Sequence, residues 1–175
     1  MANKSQIKLK KSVVLVGMMG CGKSAIGRRL ASEIGVEFFD LDIEIEKREN
    51  MAIPEIFQKH GEPYFRNLEE EVLNNLISQK PCILATGGGA FMSEKIRSLV
   101  ENKAISVWIR ADFDVLLDRV SRKNNRPLLE GGDKAKILKD LIEKRYPIYK
   151  KADITVDTST GEHKIVVGRI IEAIK

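Results

Sequence analysis

The chain has 175 residues, 43% of them hydrophobic, which is enough for one globular domain with a continuous core and too few for two. Its formal charge of +5 comes from the start: Lys4, Lys8, Lys10 and Lys11 fall in the first eleven residues, which hold no acid, while the other 26 basic and 25 acidic residues nearly balance. Composition therefore excludes a polyanion-binding body, and residues 1–11 read as a disordered, solvated tail.

In chain order, the first predicted strand is the apolar, β-branched run 12–16. Directly after it, "GMMGCGKS" places Gly17, Gly22, Lys23 and Ser24 in the pattern G-x-x-x-x-G-K-S/T, and a helical pattern follows. In that context the glycines let backbone N–H groups converge on phosphate oxygens and the helix N-terminus adds a positive end. Lys23 reaches the terminal phosphates, and Ser24 offers a hydroxyl to Mg²⁺. Gly20, Cys21 and Ala25 complete this ATP-binding set, with Cys21 read as a small residue filling a slot.

The second predicted strand, 37–39, runs into "FFDLDIE". Asp40 and Asp42, spaced i and i+2 at a strand end, point together toward the carboxyl edge of a sheet; the alternative is a pair of helix N-capping acids. Leu68, Val72, Leu73, Leu76 and Ile77 then recur at helical spacing and mark a core face. His60, before Gly61, reads as a helix-end surface residue, while Phe57 and Phe65 fit either a pocket wall or the core. A third strand, 81–85, ends in Thr86 and the glycines Gly87, Gly88 and Gly89.

A fourth strand, 104–109, precedes the polar stretch 121–133, "SRKNNRPLLEGGD", which is read as a lid. The fifth strand, 153–156, leads to a last helix with Val166, Val167, Ile170, Ile171 and Ile174 on its inner face. Short strands alternating with amphipathic helices predict an α/β domain with a five-stranded parallel sheet flanked by helices.

Several classes fall away. Cys21 and Cys82 stand far apart with no CxxC and no histidine cluster, which argues against a disulfide framework or a zinc site and fits a reducing cytoplasm. Gly20-Cys21 imitates a lipoprotein signal only weakly, since the preceding apolar run is short and already contains Gly17. No stretch has the length of a membrane span. A guanine switch is disfavoured, because Asn102-Lys103 lacks the aspartate of N-K-x-D and D-x-x-G is absent. A motor-type ATPase is disfavoured too, because the third strand ends in threonine and glycine, not an acid.

The blocks GMMGCGKS, DLD, FRNLEEE, GGGA, RPLL and KRYPIY, in this order and across about residues 13–156, resemble shikimate kinase, a small member of the nucleoside monophosphate kinase-like group. The resemblance implies a P-loop kinase fold with a substrate-binding helical insertion over 42–78 and a lid over 121–133, acting as a cytoplasmic monomer on ATP and shikimate. Carried residue by residue, it implies that Arg66 and Arg145 clamp the substrate carboxylate and that Asp42 binds the ring hydroxyls. Gly87, Gly88 and Gly89 approach the substrate and the γ-phosphate. It implies further that Asp40 supports Mg²⁺ through water, that Arg119 stacks on adenine, and that Arg126 meets the moving phosphoryl group. Read as helix residues alone, Arg66 would pair at the surface with Glu70 four residues on, or be held by Glu69. The family often carries a proline after the last strand, where this chain reads "VDTSTGEH".

Overall fold

β1, Ser12–Val16, is buried at every position and lies at the centre of the sheet. In the computed structural model, which describes residues 7–122 and 132–175, it is joined by β2 Phe38–Asp40, β3 Ile83–Ala85, β4 Ala104–Arg110 and β5 Ile154–Asp157. All neighbours pair in parallel in the order β2-β3-β1-β4-β5. Strands this apolar must be covered, and among the described residues seven α-helices flank them: α1 Lys23–Ile34, α2 Leu41–Glu49, α3 Ile53–Ile77, α4 Glu94–Lys103, α5 Phe113–Ser121, α6 Lys134–Tyr149 and α7 His163–Ile174.

The strands differ from expectation at their ends. β3 starts at Ile83 and not at Pro81: proline has no N–H for the ladder, and the Cys82 N–H donates to Ser12 Oγ. β2 runs one residue further, to Asp40, where a carboxylate cap starts α2. In α3, Leu68, Val72, Leu73 and Ile77 are buried and Leu76 is half-buried; in α7, Val166, Val167 and Ile170 are buried, with Ile171 and Ile174 packed at the margin. Leu9 is buried with this core, so the described part of the expected loose start, 7–11, is docked by that residue.

α3 is two helices joined at Gly61, whose φ of 81° and ψ of 172° are not helical; Pro63 follows within the second helix. His60, the residue before this break, stacks on Tyr64 with ring centroids 4.4 Å apart. Among the described residues no helix is long and apolar enough to cross a membrane. Parallel strands put the loops after β1, β2 and β3 at one edge, and the site forms there.

Candidate active site

The loop after β1 turns tightly under β4: a Cβ on Gly17, at φ +145°, would stand 2.6 Å from the Ile109 carbonyl oxygen, so only glycine fits. Lys23, 9% exposed, folds back over this loop and donates to the carbonyls of Gly17 at 2.7 Å and Met18 at 2.9 Å. The third proton of the ammonium faces Cys21 Sγ at 3.6 Å, a weak acceptor that a phosphate oxygen would outcompete. Gly20 and Gly22 also have positive φ, and α1 starts at Lys23 with Ser24 and Ala25 in its first turn. Cys21 is fully buried with its sulfur 3.6 Å from Lys23 Nζ, the placement of a small filling residue.

Asp40 ties three elements together. Its Oδ2 accepts from Ser24 Oγ at 2.9 Å, while its Oδ1 caps α2 by accepting the N–H of Asp42 at 3.1 Å and of Ile43 at 3.4 Å. The expectation that Asp40 and Asp42 share one strand face is therefore corrected. The strand stops at Asp40, and Asp42 enters the site from the first turn of α2; of the capping alternative, Asp40 is the cap. Burial, with Asp40 adding to it, pushes the Asp42 carboxyl up to about 6, against the pull of Lys23. Among the described residues no three His, Cys, Asp or Glu side chains gather around a metal. Ser24 and Asp40 nevertheless supply only oxygen donors, the kind Mg²⁺ takes while keeping its other positions for phosphate and water.

The triglycine is where the second half of the site is assembled. Thr86 anchors its start, donating from N and Oγ1 to the Leu15 carbonyl at 3.1 and 2.9 Å. Each glycine then packs against a different polar side chain. A Cβ on Gly87 would lie 3.0 Å from Asp42 Oδ1, one on Gly88 would lie 2.8 Å from Arg145 Nη1, and one on Gly89 would lie 2.9 Å from Arg66 Nη2. Any side chain here would displace one of the three.

Arg66 is held by Glu69, three residues on, at 2.9 Å and by Glu62, four residues back, at 3.4 Å. The pairing with Glu70 does not form; Glu69 is the residue on the inner face, 1% exposed, and burial lifts its carboxyl to about 7 despite Arg66. Arg145 Nη1 is buried with no hydrogen-bond partner among the described residues. A buried guanidinium nitrogen without a partner calls for an acceptor beyond the described residues, and a bound anion is one that fits. Phe65 is buried and Phe57 is at the surface, their ring centroids 4.7 Å apart, so the pair spans both expected roles.

Arg119, on α5, donates to the carbonyls of Gly20 and Cys21, both at 3.2 Å, and so borders the phosphate loop. Arg126 and most of the stretch expected as a lid lie outside the described residues. Sequence reasoning missed three neighbours. His163 opens α7 with Nε2 3.6 Å from where a Gly22 Cβ would be, and Thr158 Oγ1 donates to the carbonyls of Arg110 and Cys21. Tyr149 donates to the Gly88 carbonyl at 2.5 Å. Only Tyr149 carried a readable signal, its i+4 spacing from Arg145.

Met19, Lys23, Ser24, Asp42, Gly88, Arg119 and His163 border one open cavity of about 460 Å³. One end offers helix N–H groups and an ammonium, suited to phosphates; the other brings the Asp42 carboxylate beside Gly87 and Gly88, and just beyond this lining Arg145 and Arg66 pack against Gly88 and Gly89, a set suited to a small hydroxylated acid.

A family model described as shikimate kinase matches residues 19–175. The shikimate kinase of Caulobacter vibrioides is 47% identical over 165 residues, covering 94% of this chain and 82% of that protein. That of Ruegeria pomeroyi is 48% identical over 168 residues, covering 95% and 86%. Among solved structures, the shikimate kinase of Acinetobacter baumannii in complex with shikimate is similar with a TM-score of 0.90 and 38% identity, covering 98% of this chain and 97% of that one.

Proposed function

This chain belongs to the shikimate kinase family, and on that footing we propose that it transfers the γ-phosphoryl group of ATP to the 3-hydroxyl of shikimate, giving shikimate 3-phosphate and ADP. The observation that carries the reading is the buried Nη1 of Arg145, unpartnered among the described residues and facing Gly88, with Arg66 against Gly89 and Asp42 against Gly87. In this reading the arginines hold the acid and Asp42 holds the hydroxyl that is to be phosphorylated, either orienting it or taking its proton. Lys23 and the N–H groups that open α1 hold the phosphates in line with that hydroxyl. Mg²⁺, when bound, would neutralise phosphate charge, with Ser24 as a ligand and Asp40 reached through water. Arg119 borders the base, and Arg126 is assigned the transferring phosphoryl group on the strength of the RPLL resemblance.

We place the enzyme in the cytoplasm as a monomer; its cysteines are free and buried, which is compatible with a reducing compartment. Family membership sets aside a related gluconate kinase and a non-catalytic, nucleotide-gated regulator. A coupled assay of ADP release tests the reading with shikimate, with gluconate and with neither. ADP release that depends on shikimate is expected, and release equal in all three arms would refute it.

A further inference from the structure

Arg145 and Tyr149 are four residues apart on α6, so their side chains leave the helix on one face, and both reach Gly88. Arg145 Nη1 would stand 2.8 Å from a Cβ on Gly88, and the Tyr149 hydroxyl donates to the Gly88 carbonyl at 2.5 Å. Tyr149 is fully buried, with its ring centroid 5.9 Å from that of Trp108 and 6.2 Å from that of Tyr146. Burial also pushes its phenol upward, against the pull of Arg145, so it remains a protonated donor. Tyr146 directs its own hydroxyl elsewhere, to the Ala111 carbonyl.

The Gly88 carbonyl and the Gly89 N–H belong to one peptide unit. The described chain has no cis bonds, and in a trans unit these two groups point in opposite directions. Glycines on both sides leave such a unit free to rotate between the two orientations unless something holds it. Tyr149 holds it from the core side, which turns the Gly89 N–H away from the core; this N–H meets no backbone acceptor among the described residues. Arg66 packs against the same glycine, and Arg145 against the one before it.

We propose that Tyr149 is a positioning residue for the acid-binding end of the site: its hydroxyl sets the Gly88–Gly89 peptide so that the Gly89 N–H stands as a third donor beside the two guanidiniums. The donor set fits a planar carboxylate, and the proposal rests on the reading of Arg66 and Arg145 as its clamp. Tyr149 is fully buried and also pairs with Arg145, so the Gly89 amide is the readout that isolates its action through the peptide. Two rigid ring contacts and one hydrogen bond thereby do for a triglycine what side-chain sterics do elsewhere.

Tyr149→Phe keeps the ring and removes only the hydroxyl, and Tyr146→Phe is the matched control. The Tyr149 variant should raise the KM for shikimate about tenfold or more, the loss of one charge-supporting donor, while the KM for ATP stays within about twofold. In substrate-free protein, the Gly89 amide resonance should move in Tyr149→Phe and stay in place in Tyr146→Phe. An unmoved Gly89 amide in Tyr149→Phe, or equal rises in both KM values, would overturn the proposal. Should the wild type fail to phosphorylate shikimate, the functional reading falls, and the Gly89 resonance still decides the positioning role.

Discussion

Asp42 carries its charge at a cost: burial and the neighbouring Asp40 both oppose it, and Lys23 offsets only part of that. A folded protein keeps such a group where it has work to do, since a neutral residue of the same shape would be more stable. Asp42→Asn should therefore lower kcat by about a hundredfold or more, the scale of a lost acid–base or orienting group. The melting temperature of the free protein should hold or rise in the same variant. Wild-type turnover in Asp42→Asn would remove the role assigned to it.

At the scale of elements, α3 and α6 deliver the two arginines, and each depends on a local device. α3 reaches the site because it breaks at Gly61, whose backbone lies in a region essentially confined to glycine. Gly61→Ala should cost about 1–3 kcal/mol, which for a chain of this size lowers the melting temperature by several degrees. Thermal melts check this, and an unchanged midpoint would mean that the break relaxes without strain. The His60-Gly61 pair announced a helix end in sequence, and the helix does break there. Where α2 begins was harder to read: a D-x-D motif fits a strand end and a helix cap equally well, and the choice is made by Ser24 and the α2 N–H groups competing for the Asp40 carboxylate.

For the whole molecule, the two halves of the candidate site were legible to different degrees, and topology explains why. The half assigned to the phosphates centres on one contiguous stretch, residues 17–25, which a spacing pattern describes, while Arg119, Thr158 and His163 join it from distant parts of the chain. The half assigned to the acid is gathered from Asp42, Arg66, Gly87 to Gly89 and Arg145, which meet only because β2 and β3 lie side by side and α6 returns across the loop after β3. Local periodicity cannot express that convergence, and the resemblance supplied it. His163 and Thr158 matter through partners distant in sequence, which a single chain does not display, whereas Glu69 and Tyr149 showed only their spacing from Arg66 and Arg145 and not their burial.

Burial of Glu69 also links the site to the stability of the entire fold. Its carboxyl sits at about 7 in the folded protein, well above its usual 4.5, so between those values the folded state binds more protons than the unfolded one. Stability from this group is thus greatest at low pH and is lost as pH rises through about 7. Glu69→Gln should melt above the wild type at pH 8, with the gap closing by about pH 5. A gap that widens on acidification would contradict the assignment of burial as the dominant cause.

The central claim is that the triglycine presents two guanidiniums to a carboxylate, and the most direct measurement is kcat/KM for shikimate against its carboxamide, in the wild type and in Arg66→Lys. Lysine keeps the charge but loses the planar fork. The account predicts that the wild type prefers the acid by about a hundredfold or more, as two charge-assisted contacts imply, and that Arg66→Lys reduces the preference at least about tenfold. Equal kcat/KM for acid and amide in the wild type would contradict it.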